Sequence, residues 1–183
     1  MPRIDLTNIQ ENSGGGFYDV EPGGYVAVVT DFDEHADRQY VRFSFDIAEG
    51  PSKGIYAKSQ YPIGDVMSWK SDGALGMTKH KLHMFADSNP NFDSNAAFQS
   101  DAWGQFVGKV VGIVVRERLY TKRDGSDGKG VEVASLTTPA AIRSGDFVVP
   151  GPRDARANAS SGAAVPNPPA AAATGDRPKM PWE

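Results

Sequence analysis

At 183 residues and 39% hydrophobic content, the chain can build one packed domain, with or without a tail. It has no cysteine, which excludes a disulfide framework, a thiol nucleophile and a cysteine-ligated zinc site. The formal net charge of −4 excludes a grip on nucleic acid through bulk charge, so any such binding has to come from a local basic patch.

Taken from the start, "MPRIDLTNIQENSGGG" (residues 1–16) reads as a flexible arm. It lacks the apolar stretch of a secretion signal, and no apolar run approaches the length of a membrane span, which predicts an intracellular chain without a membrane partner. "EPGG" marks a turn into a first strand, "GYVAVVTDF" (Gly24 to Phe32). After the polar link "DEHADR" comes "QYVRFSFDIA", which alternates strictly: Val41, Phe43, Phe45 and Ile47 on one face, Tyr40, Arg42, Ser44 and Asp46 on the other. Period 2 over that length predicts a half-buried strand. "EGPSKG" is the next turn, and "IYAKSQYP" follows as a third strand, with Tyr56, Lys58 and Gln60 opposite Ile55, Ala57 and Ser59.

Beyond Pro62 the pattern becomes helical. "MTKHKLHMFADSNPNF" (Met77 to Phe92) spaces Met77, Leu82 and Phe85 for one helix face, with Thr78 as a cap and "SNP" as a stop. "DAWGQF" adds a helical turn. "GKVVGIVVRERLYTKR" (Gly108 to Arg123) is a long β-branched strand, and the loop "RDGSDGKG" returns it into "VEVASLT" (Val131 to Thr137) as a hairpin. "PAAIRSGDFVVP" closes the body with a helical turn and a short strand. From residue 151 the composition shifts to Pro, Ala, Gly and Ser, which cannot bury enough surface to offset ordering entropy. Residues 17–150 are therefore the expected domain and 151–183 a disordered tail. Its hydrophobic tip, Met180, Pro181 and Trp182, is either a docking motif or chance.

The order strand, strand, strand, helix, strand, strand is that of a five-stranded Greek-key OB-fold barrel, all-β with one helix between strands three and four. Such a fold binds ligands on strands two and three, between the loops joining strands one to two and four to five. Single-stranded nucleic acid requires cations along its phosphates and flat rings against its bases. The expected outer face offers Tyr40 and Arg42 on strand two and Tyr56 and Lys58 on strand three; the second hairpin adds Arg116, Arg118, Tyr120, Lys122 and Arg123. Trp69, with Lys70 beside it, either stacks on a base or caps the barrel end. Tyrosine also suits any pleated surface, and the hairpin cations also suit the blunting of an exposed edge; the cluster carries more weight than its members.

Catalytic motifs are missing: there is no phosphate-binding Gly-rich loop ending in Lys-Ser/Thr, no G-x-S-x-G and no H-E-x-x-H. His80 and His83 share a helix face but want a third ligand, and surface histidines are the better account. Asp31, Asp33, Glu34 and Asp37 crowd the first connection without regular spacing, as a solvated turn does. The expectation is a binding protein, not an enzyme, with no metal and no cofactor.

The segments "EPGGYVAVVTDF", "VRFSFDIAEGPSKG", "KLHMFADSNPNF", "FVGKVVGIVVRERLY" and "AAIRSGDFVVP" resemble a group of bacteriophage early proteins similar to the single-stranded DNA-binding proteins of phage replication and recombination modules. Matching positions are Gly24 and Tyr25, Phe45 to Gly50 with Gly54, Ser88 to Phe92, and Gly108 to Gly112. The resemblance spans roughly residues 17–150 and implies single-stranded DNA binding with little sequence preference in the cytoplasm of an infected bacterial host. A Pro/Gly/Ala linker with a short tip is likewise similar to bacterial single-stranded DNA-binding proteins, although those tips are acidic and "GDRPKMPWE" mixes signs. The expected partners are single-stranded DNA, replication or recombination proteins reached through the tail, and a further copy of the chain. RNA binding, or a structural adaptor role in which the barrel is an assembly surface, are the alternatives.

Overall fold

The computed structural model describes residues 19–156. The expected arm (residues 1–16) and the tip Met180–Trp182 lie outside the described residues.

A first strand, β1 (Gly23–His35), pairs antiparallel with β2 (Tyr40–Ile47) on one side and with β4 (Val110–Thr121) on the other. β2 in turn pairs with β3 (Gly64–Ser68), and β4 with β5 (Asp127–Thr137), giving the antiparallel path β3-β2-β1-β4-β5. A two-residue strand, β6 (Arg153–Asp154), adds in parallel to β4 at Arg118 and Leu119. Among the described residues β3 and β5 do not pair, so the sheet stays open. The helices are α1 (Asp72–Ser88), α2 (Ser94–Gln99) and α3 (Pro139–Ser144). None is long and apolar enough to cross a membrane.

The core follows the period-2 pattern. Val41, Phe43, Phe45 and Ile47 are all fully buried and meet Ala27 and Val29 of β1, Val111, Ile113 and Val115 of β4, and Leu82 and Phe85 of α1. Phe43, Phe85, Phe92 and Phe106 form an aromatic cluster centred on Phe106, with ring centroids 4.9–5.3 Å from it.

Four expectations are corrected. The third strand is not residues 55–62. Residues 51–58 form successive turns, with Gly50 at φ 84° and Gly54 at φ 76°. Bonds such as Ile55 N–H to the Ser52 carbonyl and Ala57 N–H to the Gly54 carbonyl use up groups that a strand would offer a neighbour. The buried Asp46 carboxylate accepts from the N–H of Ile47 and of Tyr56, which folds this segment back onto β2. The helix starts earlier than Met77: Ser71 is the cap, accepting from Ala74 N–H at 3.2 Å. Thr78 is instead buried within α1, and its hydroxyl both accepts from Ser68 N–H and donates to the Ser68 carbonyl, each at 2.9 Å. The "one helix" becomes three, because Asp93 and Thr138 each cap a short further one. The ordered body runs past Pro150 to Arg156, held by β6.

Two side-chain devices fix how α1 sits. At its C-terminal end Asn89 mimics a strand: its Nδ2 donates to the Val110 carbonyl at 2.7 Å and its Oδ1 accepts from Val110 N–H at 2.9 Å. On its sheet side Thr78 and Lys81 take the outward backbone groups of β3, Lys81 Nζ donating to the Val66 carbonyl at 2.7 Å and pairing with Asp65. One edge of the sheet is thus covered by a helix.

Candidate nucleic-acid interface

β3 and β5 touch without pairing, and beside them a cleft of about 750 Å³ opens. Part of its lining comes from β2, β3 and the segment between them: Arg42, Tyr61, Pro62 and Gly64. Another part comes from the β4–β5 hairpin: Glu117, Arg118, Tyr120, Lys129 and Glu132. Asp19 and Glu21, ahead of β1, complete the charged groups.

Arg42 points outward because its β2 neighbours Val41 and Phe43 point inward. Its guanidinium donates to the Pro62 carbonyl at 3.0 Å and reaches the Ser44 hydroxyl at 3.4 Å. Neither partner is charged, and among the described residues Arg42 forms no salt bridge, so its positive charge is open to the cleft. Gly64 makes this possible: a Cβ there would lie 2.8 Å from the guanidinium and 2.5 Å from the Phe43 carbonyl oxygen. Tyr120 lies opposite Gly128 in the hairpin register. A Cβ on Gly128 would stand 2.7 Å from the Tyr120 ring, so the glycine lets the ring lie against the neighbouring backbone.

The hairpin cations gather on one carboxylate. Glu132 is opposite Arg116 in register; Arg116 Nε and Nη2 lie 2.8 and 2.7 Å from its Oε1. Arg118 Nε at 3.9 Å and Arg153 Nη1 at 3.4 Å share its Oε2. Lys129 pairs loosely with Glu117 at 3.6 Å. The cleft therefore presents both signs: its lining holds the carboxylates of Asp19, Glu21, Glu117 and Glu132 against Arg42, Arg118 and Lys129, and the cations concentrate where three arginines meet Glu132.

Of the residues expected from sequence, Arg42, Arg118 and Tyr120 come together at the cleft, with Arg116 behind Arg118 on the same carboxylate. Lys122 and Arg123 are exposed at the hairpin turn, where Gly125 at φ 82° and the Asp124 carboxylate, bonded to Ser126, close the loop. Those bonds to Ser126 hold the Asp124 carboxyl below its ordinary pKa. Tyr40 stands at the far end of β2, its ring 4.6 Å from His35. Lys58 is exposed on the turn segment and Lys70 just beyond β3.

Two of the expected aromatics lie elsewhere. Tyr56 is 3% exposed, with its hydroxyl donating to Asp19 at 3.1 Å and accepting from Val20 N–H at 3.3 Å. Burial pushes its phenol well above the ordinary tyrosine range, and its ring has no face open to a base. Trp69 packs on the core: its ring stacks on Trp103 at 5.9 Å and 11°, with Phe98 edge-on at 6.0 Å. The acidic residues of the first connection pair locally, Asp33 with His35 and Asp37 with Arg38.

Three residues at or beside the cleft escaped the sequence. Tyr61 is 66% exposed and precedes Pro62, which biases it to an extended backbone; that bias was the available signal. Lys129 sits between two hairpin glycines and is placed opposite Leu119 by register. Arg153 lies past the compositional break. No protein-family model matches the chain, and no curated protein matches it.

Proposed function

We propose that this chain is an OB-fold protein that binds single-stranded DNA with little sequence preference, protecting and presenting it in phage DNA replication or recombination. The strand path β3-β2-β1-β4-β5, with helices between β3 and β4 and with β3 and β5 in contact though unpaired, supports an OB-type arrangement. The ligand face of that fold lies where β2, β3 and the β4–β5 loop meet, which is where the cleft is. The observation that carries the proposal is the cleft lining itself: two tyrosines, Tyr61 and Tyr120, beside Arg42 and Arg118 in one open groove. Base stacking on such rings is sequence-tolerant, because every base has a π-face, and the guanidinium groups hold phosphates.

The test is a fluorescence anisotropy titration of labelled oligo-dT of about 30 nucleotides, a length that spans more than one OB site, at low and moderate salt. Duplex and RNA of equal length are the comparisons. Tight, salt-sensitive binding of single strands that drops in Tyr61→Ala/Tyr120→Ala supports the proposal. Equal binding of RNA widens the ligand to single strands in general.

One observation favours a second reading, an assembly or adaptor protein: β5 presents an outer edge that nothing among the described residues pairs with. That reading expects a discrete oligomer by light scattering and no affinity for any single strand even at low salt.

A further inference from the structure

Arg118 of β4 and Arg153 of β6 are direct partners in the parallel register. Two like charges placed opposite one another on adjoining strands destabilise the pairing unless an anion lies between them. Among the described residues the anion within reach is Glu132, but Arg116 already occupies it at 2.7–2.8 Å, and both other arginines reach its second oxygen only at 3.4 and 3.9 Å. Three guanidinium groups against one carboxylate leave two positive charges in excess. Arg118 and Arg153 are each 49% exposed, so about half of each side chain is open to solvent, and each guanidinium has five N–H donors.

β6 is nevertheless held firmly. Ala155 N–H donates to the Leu119 carbonyl at 2.9 Å. Arg156 bonds to both oxygens of Asp154, at 2.8 and 2.9 Å, and reaches across to Asp127 at the start of β5, at 2.6 Å. A strand of two residues, clamped at its end to the hairpin, places a cation beside one it repels.

We propose that Arg118 and Arg153 form a phosphodiester-binding fork at the mouth of the cleft, with β6 as the element that delivers the second prong. A phosphate bridging the two guanidinium groups supplies the missing counter-charge and accepts the donors that Glu132 leaves unused. The fork rests on the single-strand binding proposed above and deepens it: the strand enters or leaves the cleft along β4 and β6, and Arg153 is a ligand contact that lies beyond the compositional boundary of the domain.

The test uses the full-length chain and the same labelled oligo-dT, with affinity measured across a salt series. Arg153→Gln is compared with Arg153→Lys and with Lys79→Gln, which removes an exposed positive charge on α1 outside the cleft lining. Loss of one phosphate contact lowers the slope of log K against log salt by about 0.7 for single strands. Arg153→Gln is therefore expected to lose about that slope and to bind about tenfold more weakly at low salt. Arg153→Lys should keep the slope, because it keeps the charge, and regain only part of the affinity, because it lacks the fork. Lys79→Gln should leave both unchanged. Wild-type binding with an unaltered slope in Arg153→Gln overturns the fork and leaves the single-strand function standing, as does an equal loss in Lys79→Gln. A wild-type chain that binds no single strand overturns both. Thermal melting of Arg153→Gln matching the wild type assigns the effect to contact and not to folding.

Discussion

Tyr56 and Tyr61 stand five positions apart in one segment, and their surroundings give them different work. Tyr56 is sealed by Asp46, Asp19 and Val20, and its hydroxyl is spent inside the fold. Substituting Tyr56→Phe removes the two hydroxyl bonds, to Asp19 and from Val20 N–H, and a urea unfolding curve should show a loss of about 0.5–1.5 kcal/mol with single-strand affinity unchanged. Tyr61 and Tyr120 face the cleft. Changing either to alanine should cost about 1–3 kcal/mol of single-strand affinity, read by anisotropy, and for Tyr120 the unfolding midpoint should barely move. Sequence alone could not separate these tyrosines. The alternation of Val41 to Ile47 is a property of one strand and is readable there. The burial of Tyr56 depends on a carboxylate ten residues earlier and on a segment ahead of β1, and no local pattern encodes that.

Among elements, the two edges of the sheet are treated differently. α1 lies against β3, and Thr78 satisfies both the N–H and the carbonyl of Ser68 as a neighbouring strand would. Thr78→Val keeps the shape and removes the hydroxyl, so it should destabilise the fold by about 1–3 kcal/mol, measured by denaturant unfolding. The clamp on β6 carries a pH signature. Bonding to Arg156 depresses the Asp154 carboxyl to about 2, below its unfolded value near 3.8. A depressed carboxylate stabilises the clamp above the unfolded value and loses that contribution as pH falls through the folded one. NMR titration should show the Asp154 side chain charged at pH 4, with the β6 amides losing protection only between there and about 2. The long strands and α1 were legible because each carries its own period and stop signals. β3 and β6 were not: five and two residues are too short to show a period, and what makes them strands is the partner each lies against.

At the scale of the whole molecule, a net charge of −4 surrounds a cleft of mixed sign, beside which three arginines gather on Glu132. With about four phosphate contacts, the affinity for single strands should fall about fiftyfold between 50 and 200 mM salt, which a salt series by anisotropy measures directly. A flat salt response would mean that the ligand is held by its bases alone. The strand path has a consequence in time as well as in space. β1 sits at the middle of the sheet, yet its partners arrive separately: β2 follows at once, whereas β4 pairs Val110 with Val28 and Val115 with Gly23, spans of 82 (110 − 28) and 92 (115 − 23) residues. At ribosomal rates that interval lasts on the order of 5–15 s. Throughout it, the β1 edge that will bond to β4 carries Val26 and Ala27 with no partner, an open template for another chain. Nascent chains arrested before Val110 should therefore aggregate or recruit holdase chaperones, and those arrested after Thr121 has cleared the ribosome should not. What the finished fold buries at its centre is, during synthesis, the chain's most vulnerable margin.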